Sequence, residues 1–169
     1  PERRLSGAAR FVARTAKAGL VASLEEIWAA DLKPLARRQA FEKLFPKPIG
    51  FWANHCTWTG KAMERPAAMI GAGRLRSIVG NVFVPLALAL ARQYHDRVRE
   101  ERVMAFFAAL PQEPENNIQK IMLPRVFGDG KRPKLNFRLQ QGLLQLYSDW
   151  CEPNPSCRNC GVIPFLGEE

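Results

Sequence analysis

Along most of this chain the apolar residues recur at steps of three and four, and no useful stretch alternates polar with apolar. The clearest case is Leu135, Leu139, Leu143, Leu146 and Trp150, at i, i+4, i+8, i+11 and i+15, which predicts an amphipathic helix. Strands need a period of two, so the fold class that follows is all-α. Leu5, Ala8, Ala9, Val12, Ala16 and Leu20 share one face of a first helix, and Gly19 marks its end. Ser23 is placed to cap a second helix carrying Leu24, Ile27 and Trp28, with Glu26 at the capping-box position. Pro34 opens a third helix through Phe41 and Leu44, and Pro46 and Pro48 stop it. Residues 51–73 are irregular. Residues 74–94 are apolar on every side, which predicts the buried centre of the domain, with Asn81 needing a polar partner and Pro85 a kink. Two further helices are expected over residues 97–110 and through Ile118, Ile121, Met122 and Leu123, before a turn at Gly128-Asp129-Gly130.

With 169 residues, 47% of them hydrophobic and 24% charged, the chain can bury a core of its own. We expect one compact helical domain over 1–169: a basic helical region 1–50, a helical core 51–150 and a cysteine loop 151–160 clasped by a metal. The first residues are Pro1 and Glu2 rather than Met, with no signal-peptide apolar segment, so the chain reads as part of a longer protein. The longest apolar run, residues 82–91, is half the roughly 20 residues a bilayer requires. No membrane partner is expected, and the expected location is cytoplasmic.

The net charge of +9 is concentrated early, since residues 1–95 hold 15 basic against 6 acidic side chains. That balance suits an anionic partner. Arg3, Arg10, Arg14 and Lys17 fall on one face of the first helix; with Arg37, Arg38, Lys131 and Arg132 they are candidates to track the phosphates of DNA or RNA. A solvated helix face is the plain alternative. Trp28, Trp52, Trp58 and Trp150 read as core or interface residues, with base stacking by Trp52 or Trp58 as the functional alternative.

Four cysteines are too sparse for a disulfide scaffold, yet three fall within ten residues as Cys151-x5-Cys157-x2-Cys160. Two thiolates two residues apart can grip one ion from a tight turn; Gly161 eases that turn, and Pro153 and Pro155 stiffen the loop. A fourth ligand would come from His55 or Cys56. His55 suits zinc, whereas Cys56 admits zinc or a 4Fe–4S cluster. Plain thiols, a disulfide or redox pair, a hydrogen-bonded core histidine at His55 and a small buried hydrophobe at Cys56 are the alternatives. The chain has only two histidines, His55 and His95, and no Ser–His–Asp arrangement can be argued, so no catalytic residues are assigned.

Two resemblances rest on these residues. Residues 137–160, FRLQQGLLQLYSDWCEPNPSCRNC, resemble the end of the endonuclease III and adenine glycosylase family, in which such a helix runs into a C-x6-C-x2-C-x5-C loop holding a 4Fe–4S cluster. Here the first spacing is five, the family's fourth position falls on Leu166, and no matching catalytic Lys and Asp accompany them. Over roughly residues 50–160, the motifs Phe51-Trp52-x2-His55, Gly60-Lys61 and Ile78-x2-Asn81-Val82-x2-Pro85-Leu86, with the terminal cysteines, are similar to the uncharacterised bacterial family called domain of unknown function 2851. That resemblance implies a bacterial protein with a further N-terminal part, and favours His55 as fourth ligand because the position of Cys56 is usually aromatic there. It brings no established activity. The expected function is nucleic-acid association, with a structural metal holding the last loop against residues 51–60. The competing readings are a structural or regulatory module packed on an N-terminal catalytic region of the same protein, and an enzyme related to the DNA-repair glycosylases.

Overall fold

The computed structural model describes residues 2–128, 130, 133–158 and 160–162. They form an all-α protein: no β-strand occurs among them, and one isolated antiparallel bridge joins Pro111 to Asn136. The chain divides into two compact units, Pro1–Phe106 and Phe107–Glu169.

The first unit begins with α1 (Glu2–Ala18), α2 (Leu20–Ala29) and α3 (Pro34–Leu44). Gly19, at a φ of 77°, breaks the first two apart and is itself the N-cap of α2. Ser23 therefore does not cap; its hydroxyl donates to the Gly19 carbonyl at 3.2 Å, one turn inside the helix. Pro34 does occupy the first turn of α3, where its missing N–H costs nothing. The core of this unit is aromatic. Trp28 meets Phe41 at 5.1 Å and Phe106 edge-on at 5.3 Å, and Phe41 meets Phe83 at 5.6 Å.

The rotation of α1 differs from the sequence expectation. Its apolar face is outward, with Leu5 69% and Val12 60% exposed, while Arg3, Gly7 and Thr15 are buried. The cause is a close approach at Gly7, where a Cβ atom would stand 3.0 Å from Met69 Cβ and 3.2 Å from Ile70 Cγ1. Packing is tightest at the residue without a side chain, and that fixes which face turns inward.

After a single turn, α4 (Phe51–Asn54), the chain forms one helical rod from α5 (Ala72–Ile78) through a π-turn (Val79–Phe83) into α6 (Val84–Gln93). In the π-turn the Val84 N–H reaches back five residues to the Val79 carbonyl, and Pro85 follows in the first turn of α6. The wider turn accommodates the proline, and the helix continues through it. By length and composition alone, the 22-residue helix Ala72–Gln93 is long and apolar enough to cross a membrane; the ten-residue apolar run lies within it. Nor is it buried all round. Val79, Phe83, Val84, Ala87 and Ala91 are inside, whereas Asn81, Val82, Pro85 and Leu86 are exposed, and Asn81 meets its polar needs at the surface. Asp96 then caps α7 (Arg97–Ala109) by accepting from the Arg99 N–H at 2.9 Å.

The second unit contains α8 (Asn117–Phe127), α9 (Phe137–Leu146) and a terminal π-turn (Tyr147–Cys151). Asn116 and Gln119 form a reciprocal capping box on α8, and Asn136 caps α9. Met122, Leu123 and Leu143 make the small core. The inward face of α9 runs through Phe137, Gln140 and Leu143; of the predicted stripe, Leu143 is buried and Leu135 and Leu146 pack against the core, whereas Leu139 is 41% and Trp150 45% exposed. Gln140 is buried beside them: its Nε2 donates to the Glu113 carbonyl at 2.9 Å and its Oε1 accepts from the Glu113 N–H at 2.6 Å. One side chain thus satisfies both backbone groups of a loop residue.

Candidate nucleic-acid interface and thiol pocket

A stacked pair, Phe11 on Phe45 at 4.4 Å, brings α1 beside the end of α3 in the first unit. Arg10 and Arg14 flank Phe11 by one and three positions, and Lys43 and Lys47 flank Phe45 by two on either side. The four cations line an open cavity of about 860 Å³ whose apolar wall includes Phe45 and Ile49. Glu42 also lines it, but its carboxylate already faces Arg38 at 3.4 Å, one helical turn away. The net character of the groove is therefore strongly basic, with an apolar side. Of the basic residues expected from sequence, Arg10 and Arg14 lie on it, Arg38 touches it only through Glu42, and Lys17 is exposed elsewhere on α1. Lys131 and Arg132 lie outside the described residues. Lys43 and Lys47 were missed; the signal that could have found them is their placement about Phe45, the partner of Phe11.

Two expected phosphate contacts are corrected, because Arg3 is 7% and Arg37 2% exposed. The Arg3 guanidinium donates to Cys56 Sγ at 3.5 Å and Met63 Sδ at 3.7 Å, and also to the Ala67 carbonyl. Arg37 lies over the Trp28 ring at 5.3 Å and donates to the Ala30 carbonyl at 2.6 Å. Arg102 donates to the Trp28 and Ala29 carbonyls at 2.9 and 3.0 Å. Both arginines thus serve the negative end of α2. Burial, followed by the nearby Arg102 charge, pushes Arg37 below the usual arginine range, and Asp31 opposes that shift.

In the second unit Cys151, Cys157 and Cys160 line one small cavity of about 40 Å³, with Arg125 and Trp150 on its wall. The π-turn directs α9 into Cys151, and the turn after Cys160 lies against Trp150, whose ring would stand 3.0 Å from a Cβ at Gly161. The donor type suits a soft ion. The arrangement as it stands does not close around one: among the described residues no three His, Cys, Asp or Glu side chains are gathered to hold a metal. Cys157 is exposed, while Cys151 and Cys160 are half-buried. His55 and Cys56 belong to the first unit. His55 stacks on Phe51 at 4.0 Å and 9°, and its Nδ1–H donates to the Phe51 carbonyl at 3.0 Å, leaving Nε2 without a proton of its own in the neutral ring. Cys56 is exposed, contrary to the buried-hydrophobe alternative, and faces Met63 Sδ at 3.6 Å.

No protein-family model, no curated protein and no solved structure matches this chain.

Proposed function

We propose that the protein associates with nucleic acid through the groove between α1 and the end of α3. The carrying observation is the convergence of Arg10, Arg14, Lys43 and Lys47 on one open cavity whose carboxylate, Glu42, is already paired. Four cations on one surface suit a chain of phosphates, and the open form suits a polymer rather than an enclosed metabolite. The test is anisotropy of a labelled oligonucleotide with the full chain. Binding at about 50 mM salt that weakens roughly 50- to 150-fold by ~200 mM is the expected result for four phosphate contacts. No binding at the lower salt overturns the reading.

A second reading, structural zinc on Cys151, Cys157 and Cys160, is favoured by their sharing one cavity. The resemblance to the endonuclease III clasp points the same way but allows a 4Fe–4S cluster. Metal analysis and a visible spectrum of anaerobically purified protein separate the cases. Stoichiometric colourless zinc supports the first, iron and sulfide with a brown colour the second, and neither metal removes both.

A further inference from the structure

Beside the basic groove lies an open aromatic shelf. Trp58 is 66% exposed and Phe51 42% exposed, yet neither is loosely held. Phe51 is sandwiched between His55, at 4.0 Å and 9°, and Trp58, at 5.4 Å and 23°. Trp52 meets Trp58 at 4.5 Å and 66°, propping it from the side. Two backbone bonds tie the following segment to α4: Met63 N–H to the Asn54 carbonyl at 2.7 Å, and Ala67 N–H to the Ala53 carbonyl at 3.2 Å. The turn after Trp58 is close-packed at Gly60, where a Cβ would stand 2.6 Å from Thr57 Oγ1. The shelf is therefore ordered, aromatic and unusually exposed for its size. It is also tethered to the groove, because Ile49 lines the cavity and Phe51 follows within at most about 7 Å of chain.

We infer that the ligand is single-stranded nucleic acid, its phosphates in the groove and one unpaired base stacked on Trp58. This rests on the groove reading above and sharpens it. A duplex hides the faces of its bases within its own stack, so an exposed indole gains nothing from it. An unstacked base offers a π-face to any ring, and the adjacent cations supply the sequence-independent attraction that keeps the strand in register. Lys43, Lys47, Ile49 and Phe51 follow one another closely along the chain, so the rings lie within reach of a strand held in the groove.

The experiment titrates the full chain with an unstructured oligothymidylate, the corresponding oligouridylate and a duplex of equal length, following tryptophan fluorescence and anisotropy at about 50 mM salt. The expected result is a single-strand preference accompanied by quenching. Trp58→Ala should weaken the single strand about 5- to 100-fold, leave the duplex unchanged and be rescued by Trp58→Phe. Circular dichroism of the variants controls for folding. Whichever strand, deoxyribose or ribose, shows the Trp58-dependent preference is the ligand. Equal binding of single strand and duplex, with no loss in Trp58→Ala, overturns this inference and leaves the groove reading standing. No binding of any of the three sinks the groove reading itself. If Trp58→Ala instead abolishes self-association without altering strand affinity, the shelf is a protein contact and the inference is wrong.

Discussion

Arg3 is a cation buried beside two sulfurs and a carbonyl, and among the described residues no carboxylate pairs with it. Its Nε has no acceptor among the described residues. Such a group is held by packing along its stem and by weak acceptors, so its loss is felt in stability rather than in ligand binding. Arg3→Ala should destabilise the protein by about 2–4 kcal/mol in urea unfolding while leaving the salt dependence of oligonucleotide binding unchanged. A reduced salt slope with normal stability would return Arg3 to the phosphate surface. This residue was illegible in the sequence because a helical wheel places charges on a common face without saying which face packs. Arg37 misled in the same way: an Arg37-Arg38 pair looks like a basic patch, but one guanidinium sits on Trp28 and the other beside Glu42. The cysteine spacing, by contrast, led directly to three side chains on one cavity wall. What it did not reveal is how far each thiol is from its neighbours, which depends on the loop through Pro153 and Pro155.

At the scale of the element, helix existence was legible and helix orientation only in part: Leu24 and Trp28 of α2 face inward as their spacing predicts, whereas α1 is turned the other way. Most helices begin and end near the proline, glycine and asparagine signals, since those are local backbone effects. The inward face depends on what an element meets elsewhere in the chain. On α1 the deciding contact is Gly7 against Met69 and Ile70, more than sixty residues away, and a glycine carries no weight in an apolar pattern. Two opposite outcomes follow. Leu5→Gln with Val12→Gln should change unfolding free energy by no more than ~0.5 kcal/mol, because both side chains are mostly in water already. Gly7→Val should cost about 2 kcal/mol or more by forcing two buried neighbours apart. A large loss from the first pair and none from the second would show that the apolar stripe is the packed face. The rod from Ala72 to Gln93 carries the same lesson: its pattern is apolar all round, yet its burial is one-sided because the first unit packs only against Val79, Phe83, Val84, Ala87 and Ala91.

For the whole molecule, the early concentration of positive charge was visible from composition, and four of those charges do meet on one groove. Net charge alone could not choose them, since it counts Arg3 and Arg37 equally with Arg10 and Arg14. Burial supplies the distinction: only cations free to reach a phosphate displace counterions. The salt dependence of binding therefore reads which cations act. Each groove cation that meets a phosphate contributes about 0.7 to the slope of log affinity against log salt for a single strand, and ~0.9 for a duplex. Arg14→Ala with Lys43→Ala should reduce the single-strand slope by about 1.4, whereas Lys17→Ala, exposed on α1 but off the groove, should reduce it far less. Affinity would fall for every sequence alike, as phosphate contacts require. If Lys17→Ala matches the double variant, the phosphate path follows the outer face of α1 instead, and the cavity beside Phe45 is not where the strand lies.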